Sequence, residues 1–228
     1  MATSSVHKVL AAGALVLGVA LVGAPADAFW AVKACRGTAV YQVDFHFEWS
    51  SATHPRSYPA DGHFSPPTVA SHSAAYQMWS PGSFASQGIQ NVAETGNPMV
   101  LRQELGVYEK AGHVGKYTGT AMPTESGTGK VSLRLNVDTH TPFLSAATMA
   151  APSPDWFTGF HDISMCGHFG WRAWWSGPLT LYDAGTDSGP LHESRDEATA
   201  PPTTIASLRQ GFPSFGRAFG WYTVKRLY

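Results

Sequence analysis

Charge of either sign is scarce in this sequence. Its 228 residues carry 15 Lys+Arg against 16 Asp+Glu, a formal net charge of −1. No basic stripe is available for nucleic acid, and no polybasic cluster for an anionic membrane. Long apolar runs are scarce as well. The one uncharged apolar stretch, residues 9–23, is shorter than the ~20 residues needed to span a bilayer. It follows His7 and Lys8 and leads into Ala24-Pro25-Ala26-Asp27-Ala28, where the small residues at 26 and 28 fit a cleavage site before Phe29. Residues 1–28 therefore read as a signal peptide, and the chain as secreted. Losing them removes one base (Lys8) and one acid (Asp27), so the mature charge stays at −1.

Catalytic signatures are also missing. No G-x-S-x-G elbow, H-E-x-x-H pair or glycine-rich phosphate loop occurs. None of Asn91, Asn97 or Asn136 stands in an N-x-S/T sequon. There are only two cysteines, Cys35 and Cys166. In an oxidising compartment two thiols are expected to pair, and this bridge would tie the start of the mature chain to its middle. No linker, repeat or low-complexity tract divides residues 29–228, which fit one β domain.

What the chain does contain is strand patterning between Gly/Pro turns. From Thr38 to Trp49, Tyr41, Val43, Phe45, Phe47 and Trp49 alternate with Gln42, Asp44, His46 and Glu48. That period of two is the mark of a half-buried antiparallel strand. Lys130–Val137 alternates likewise, and Arg172–Tyr182 (broken at Gly177-Pro178) and Trp221–Tyr228 read as further strands. Residues 143–151 form an apolar run too short for a core helix, and 50–75 read as a long irregular excursion because of Pro55, Pro59, Pro66 and Pro67. A short helix is expected over Ser86–Glu94, stopped by Gly96, while Val100–Tyr108 fits either a strand or a helix. The pattern predicts an all-β antiparallel sandwich with short helical excursions.

Two acidic turns stand out, A-P-S-P-D-W-F-T-G at 151–159 and L-Y-D-A-G-T-D-S-G at 181–189. If they meet at one end of a sheet, Asp155, Asp183 and Asp187 converge. Three carboxylates with backbone carbonyls around them suit Ca²⁺, which takes six to eight oxygen ligands in flexible geometry. The same residues equally suit Asx turns that accept backbone N–H bonds.

Ordered motifs along the mature chain resemble the spondin domain family. They are Y-Q-V-D-F-H-F-E-W-S-S-A-T-H-P-R-S-Y-P at 41–59, H-F-S-P at 63–66, A-S-H-S-A-A-Y-Q-M-W at 70–79, A-S-Q-G-I-Q-N-V-A-E-T-G at 85–96 and the two acidic turns. The resemblance implies a sandwich similar to the calcium- and lipid-binding domains of synaptotagmin type. It also implies a Ca²⁺ site on the aspartate of S-P-D-W and both aspartates of D-A-G-T-D, here Asp155, Asp183 and Asp187. The position of Cys166 after S-P-D-W supports its pairing with Cys35. Tyr182 stands where the family usually has Trp, which keeps an aromatic under the loop.

Other readings are weaker. His161, Cys166 and His168 match no standard transition-metal spacing, and His54, His63 and His72 are read as hydrogen-bonding residues of the 50–75 segment. Trp171, Trp174 and Trp175 are read as core and loop packing rather than a sugar platform. Asp155 and Asp183 as a glycosidase pair lack an apolar setting that would split their pKa values. A membrane mode would use Trp156, Phe157 and Tyr182 as insertion residues around a bridging Ca²⁺. The favoured function is a secreted, non-enzymatic Ca²⁺-binding module that contacts an extracellular-matrix or cell-surface protein or glycan.

Overall fold

A computed structural model describes residues 35–228. The expected signal peptide, residues 1–28, lies outside the described residues. In chain order the strands and helices are β1 (Thr38–Glu48), β2 (His63–Phe64), β3 (Thr68–His72), α1 (Gln87–Thr95), α2 (Met99–Lys110), β4 (Val114–Gly119), β5 (Thr128–Asp138), β6 (Phe143–Ala151) and β7 (Trp156–Ser164), followed by β8 (Cys166–Gly167), β9 (Gly170–Trp171), β10 (Trp174–Pro178), β11 (Leu181–Asp183), β12 (Ala206–Ser207) and β13 (Gly220–Arg226).

All pairings are antiparallel. One sheet has the order β10-β13-β1-β5, a larger one runs β12-β11-β7-β6-β3-β4 with β2 added to β6, and β8 pairs with β9 in a separate two-stranded sheet. Alternation on β1 and β5 turns Tyr41, Val43, Phe45, Phe47, Leu133, Leu135 and Val137 inward. There they meet Leu144, Ala146, Trp156 and Phe160 of the second sheet and Tyr222 and Val224 of β13. This confirms the expected all-β sandwich. A third layer was not expected: α1 and α2 lie on the other face of the large sheet, where Ile89, Val92, Ala93, Leu101 and Leu105 pack with Trp79, Ala70, Ala147 and Phe157.

That layer explains where sequence and structure differ. β6 is buried on both faces beyond its first residue, and β3 is buried throughout. Neither therefore alternates, and β3, with β2, is ordered strand inside the stretch expected to be irregular. Val100–Tyr108 belongs to α2. Arg172–Tyr182 is not one interrupted strand, because β10 belongs to the small sheet and β11 to the large one. The chain crosses between sheets at Leu179-Thr180.

The tryptophans also need correcting. Trp174 and Trp175 are 57% and 36% exposed, since β10 is an edge strand, and Trp175 is covered on one face by the Arg172 guanidinium at 4.8 Å. Trp171 is half-buried and its indole donates to Arg36 O at 3.0 Å.

Cys35 and Cys166 are joined, with an S–S distance of 2.07 Å and a sequence separation of 131. Closing so long a loop stabilises by roughly 4–5 kcal/mol in the chain-entropy view. The sulfur of Cys166 is thus unavailable as a metal ligand beside His161 and His168.

Candidate metal centre

Asp155 immediately precedes β7, and Asp183 closes the neighbouring strand β11, opposite Trp156 in the register. Antiparallel pairing therefore brings the two acidic turns together at one end of the large sheet. Locally, Ser153 shapes the first turn: its hydroxyl accepts from Trp156 N at 3.1 Å. The second turn needs Gly185, which has φ +75° and lies so close to Thr203 that a Cβ would stand 2.6 Å from Oγ1 of that residue. Only glycine fits such a left-handed, crowded position without strain.

Each aspartate is held by backbone amides. Asp155 Oδ2 accepts from Thr186 N (2.7 Å) and Asp187 N (3.1 Å), which pins the second turn onto the first. Asp183 Oδ1 accepts from Gly185 N at 2.8 Å. Asp187 Oδ1 accepts from Gly189 N and Oδ2 from Glu197 N, both at 2.7 Å. The Asx-turn reading is therefore correct for Asp183 and Asp187. It does not account for Asp155, whose side chain reaches across to another segment and whose Oδ1 is buried without any partner.

Electrostatics single out the same residue. Asp155 is 0% exposed. Burial, with the carboxylates of Asp183 and then Asp187 adding like charge, pushes its pKa up to about 6 despite the two amides. Burial acts on both Asp155 and Asp183 and pushes both upward, rather than raising one and leaving the other low. Asp183 is raised too, by burial and by Asp187, against the Gly185 amide and the Trp156 indole. None of the ion pairs among the described residues supplies a cation to this trio. No group of three His, Cys, Asp or Glu side chains among those residues is drawn together tightly enough to form a ready-made metal cluster.

Residues around the trio were not picked out from the sequence. His192 stacks edge-on against Trp156, with centroids 4.9 Å apart, and its Nδ1 lies 2.8 Å from Pro152 O. Glu197 contributes only its backbone amide and has no local signature; Gly185 and Gly189 of D-A-G-T-D-S-G were the visible sign of a tight loop. Trp156 and Phe157 are 3% and 0% exposed, and Tyr182 packs on Trp79 at 4.9 Å. Of the side chains that a membrane mode would insert, Trp156 and Phe157 are thus core residues and Tyr182 is half-buried against the core. Among the described residues, no helix is long and apolar enough to cross a membrane.

Comparison with known proteins agrees with this architecture. Residues 39–225 match the Spondin_N family. Human Spondin-2 is 33% identical over 194 residues, 80% of this chain and 56% of that protein. Spondin-1 from Gallus gallus is 35% identical over 179 residues, 75% of this chain and 22% of that protein. The chain thus spans between about a fifth and just over half of the length of these relatives. A match running from β1 to β13 and containing both acidic turns makes this chain a member of the spondin family.

Proposed function

We propose that the chain is a calcium-binding spondin module acting outside the cell as an adhesion-type binding protein for a matrix or cell-surface partner. The observation that carries the metal reading is the Asp155 carboxylate, fully buried beside two further carboxylates with Oδ1 unpartnered. A buried acid among like charges either stays protonated or takes a cation. Oxygen-only donors with no thiolate favour a hard ion such as Ca²⁺. Asp155, Asp183 and Asp187 hold it, with backbone carbonyls and water completing the shell. The ion supplies charge neutralisation and draws the two turns together, fixing the loop surface that a partner meets. Family membership supports the matrix or cell-surface setting, as does the disulfide, which suits an oxidising compartment.

Hydrolysis is the weaker reading. A catalytic acid must touch the glycosidic oxygen, whereas Asp155 is inaccessible and its Oδ2 is occupied by two backbone amides.

Calorimetry with CaCl₂ on chelator-treated protein is the test. We expect a saturable heat for the native protein, weakened at least tenfold in Asp187→Ala and Asp155→Asn. At free Ca²⁺ about 100 times Kd, unfolding should become harder by about 2.7 kcal/mol. Flat titrations for all three proteins would remove the calcium reading. Capture of secreted proteins with and without Ca²⁺ then tests whether the ordered loops form the docking surface.

A further inference from the structure

A second polar site lies beside the W-S-x-x-T-H-P turn, remote in sequence from the aspartates. A cleft of about 240 Å³ is lined by Thr53, His54, Pro55 and Arg56 on one side and Ser214, Phe215 and Arg217 on the other. Two side chains on its wall have buried polar atoms without a partner, His54 Nε2 and Ser214 Oγ. Those residues are only 3% and 1% exposed. An unpaired buried donor or acceptor costs on the order of 1–3 kcal/mol, and two in one cleft point to a ligand that satisfies both. Arg56 and Arg217 are exposed at the same cleft and take part in none of the ion pairs among the described residues. The Arg56 guanidinium instead lies 5.7 Å from the Phe215 ring centroid. No acid lines this cleft; Glu48 lines a neighbouring one, on which Thr53, His54 and Arg217 also border.

We propose that this cleft binds a tetrahedral oxyanion, the sulfate ester of a sulfated glycan, between the Arg56 and Arg217 guanidinia with Ser214 and His54 as the buried partners. Planar guanidinia with forked N–H donors match such oxygens, and hydrogen bonds to ionised groups are the stronger class. The cleft has room for the anion and part of its carrier. An oxidising, extracellular setting, to which the disulfide points, is where sulfated glycans occur.

The His54 tautomer makes the proposal sharper. Thr53 Oγ1 donates to Glu48 O at 2.5 Å, so at the 3.0 Å contact with His54 it accepts from Nδ1–H. The neutral ring therefore presents a bare Nε2, and it can donate to an anion only after taking up a proton. Burial first, then Arg217 and His192, hold the empty-site pKa down to about 4; a bound anion reverses the local field. Arg56 lines the same cleft and Glu48 the neighbouring one, while Glu193 raises the pKa of His192. Anion binding is thus coupled to proton uptake.

The test is calorimetry with a sulfated heparin tetrasaccharide, its desulfated counterpart and inorganic phosphate, at pH 5.5 and 7.5. Expected results are tighter binding at the lower pH, no heat from the desulfated sugar, and at least about a tenfold loss in the Arg56→Ala/Arg217→Ala double variant. Both arginines are exposed, so that variant keeps its thermal midpoint. His54→Gln, whose amide donates without protonation, keeps binding but loses the pH dependence. Phosphate binding as tightly as the tetrasaccharide assigns the site to the free anion and overturns the glycan. Equal binding by the double variant, equal binding of the desulfated sugar, or no binding of either anion overturns the site itself.

Discussion

Asp155 carries an energetic asymmetry that pH exposes. Its carboxyl titrates near 6 in the folded protein against an ordinary value of 3.8, so between those values the native state binds more protons than the unfolded one. Stability from this group is therefore greatest below pH 3.8 and falls as pH rises through 6, by roughly 3 kcal/mol for metal-free protein. His54 acts in the opposite sense: its depressed pKa gives stability that is whole above 6.5 and lost as pH falls through about 4. Comparing denaturation of the native protein with Asp155→Asn across pH 4–7 isolates the carboxylate. We expect metal-free Asp155→Asn to be the more stable at pH 7, with the two converging near pH 4. An unchanged difference across that range would mean that Asp155 ionises freely. The identities of the three aspartates were legible in the sequence, because each sits in a Gly/Pro/Ser turn. The burial of Asp155 was not, because the groups that hold it come from Ala184, Thr186 and Asp187, and no local pattern assigns that turn to the spot.

Elements were legible where one face meets water. β1 and β5 alternate because their outer face is solvated, and the expected spans 38–49 and 130–137 match closely. β3 and β6 carry no such alternation, since sandwich core covers one side and helices the other. The α1 helix was readable from its punctuation: Ser86 caps it by accepting from Ile89 N at 3.2 Å, and Gly96 ends it at φ 68°. Ser86 also donates to Glu104 of α2 at 2.8 Å, and Glu104 accepts from Gly88 N at 2.7 Å, so one hydroxyl serves both helices. Ser86→Ala should cost about 1–2 kcal/mol in urea denaturation. Ser86→Asp keeps the cap but sets a charge against Glu104, and should recover less than Ser86→Thr. A full rescue by Asp would mean that the link to Glu104 contributes nothing.

Across the described domain, β1 runs from one end of the sandwich core to the other. Its 11 residues span roughly 35 Å. The Cys35–Cys166 bridge and Tyr228 lie near its start. Near its end, Trp49 packs on His192 at 5.2 Å and on Phe219 at 5.0 Å, and Phe219 in turn meets His54 at 4.6 Å. His192 leads on to Trp156 and the aspartates, so both proposed sites share one pole, away from the bridge and the C-terminal residue.

The pairing of β1 with β13 also has a mechanical meaning. Val40 N donates to Tyr228 O at 3.0 Å and Leu227 N to Val40 O at 2.8 Å, so the start of β1 and the end of β13 are held side by side. Tension applied between residue 38 and the C-terminus opens this pair like a zipper, loading one hydrogen bond at a time. Tension between residue 38 and Ala218, at the other end of β13, loads the same bonds together in shear. Single-molecule pulling should give a clearly lower rupture force in the first geometry; equal forces would mean that another contact bears the load. A partner held at the loop pole and pulling against a C-terminal anchor draws along β13, so that tether loads these bonds in shear, the geometry that resists the larger force.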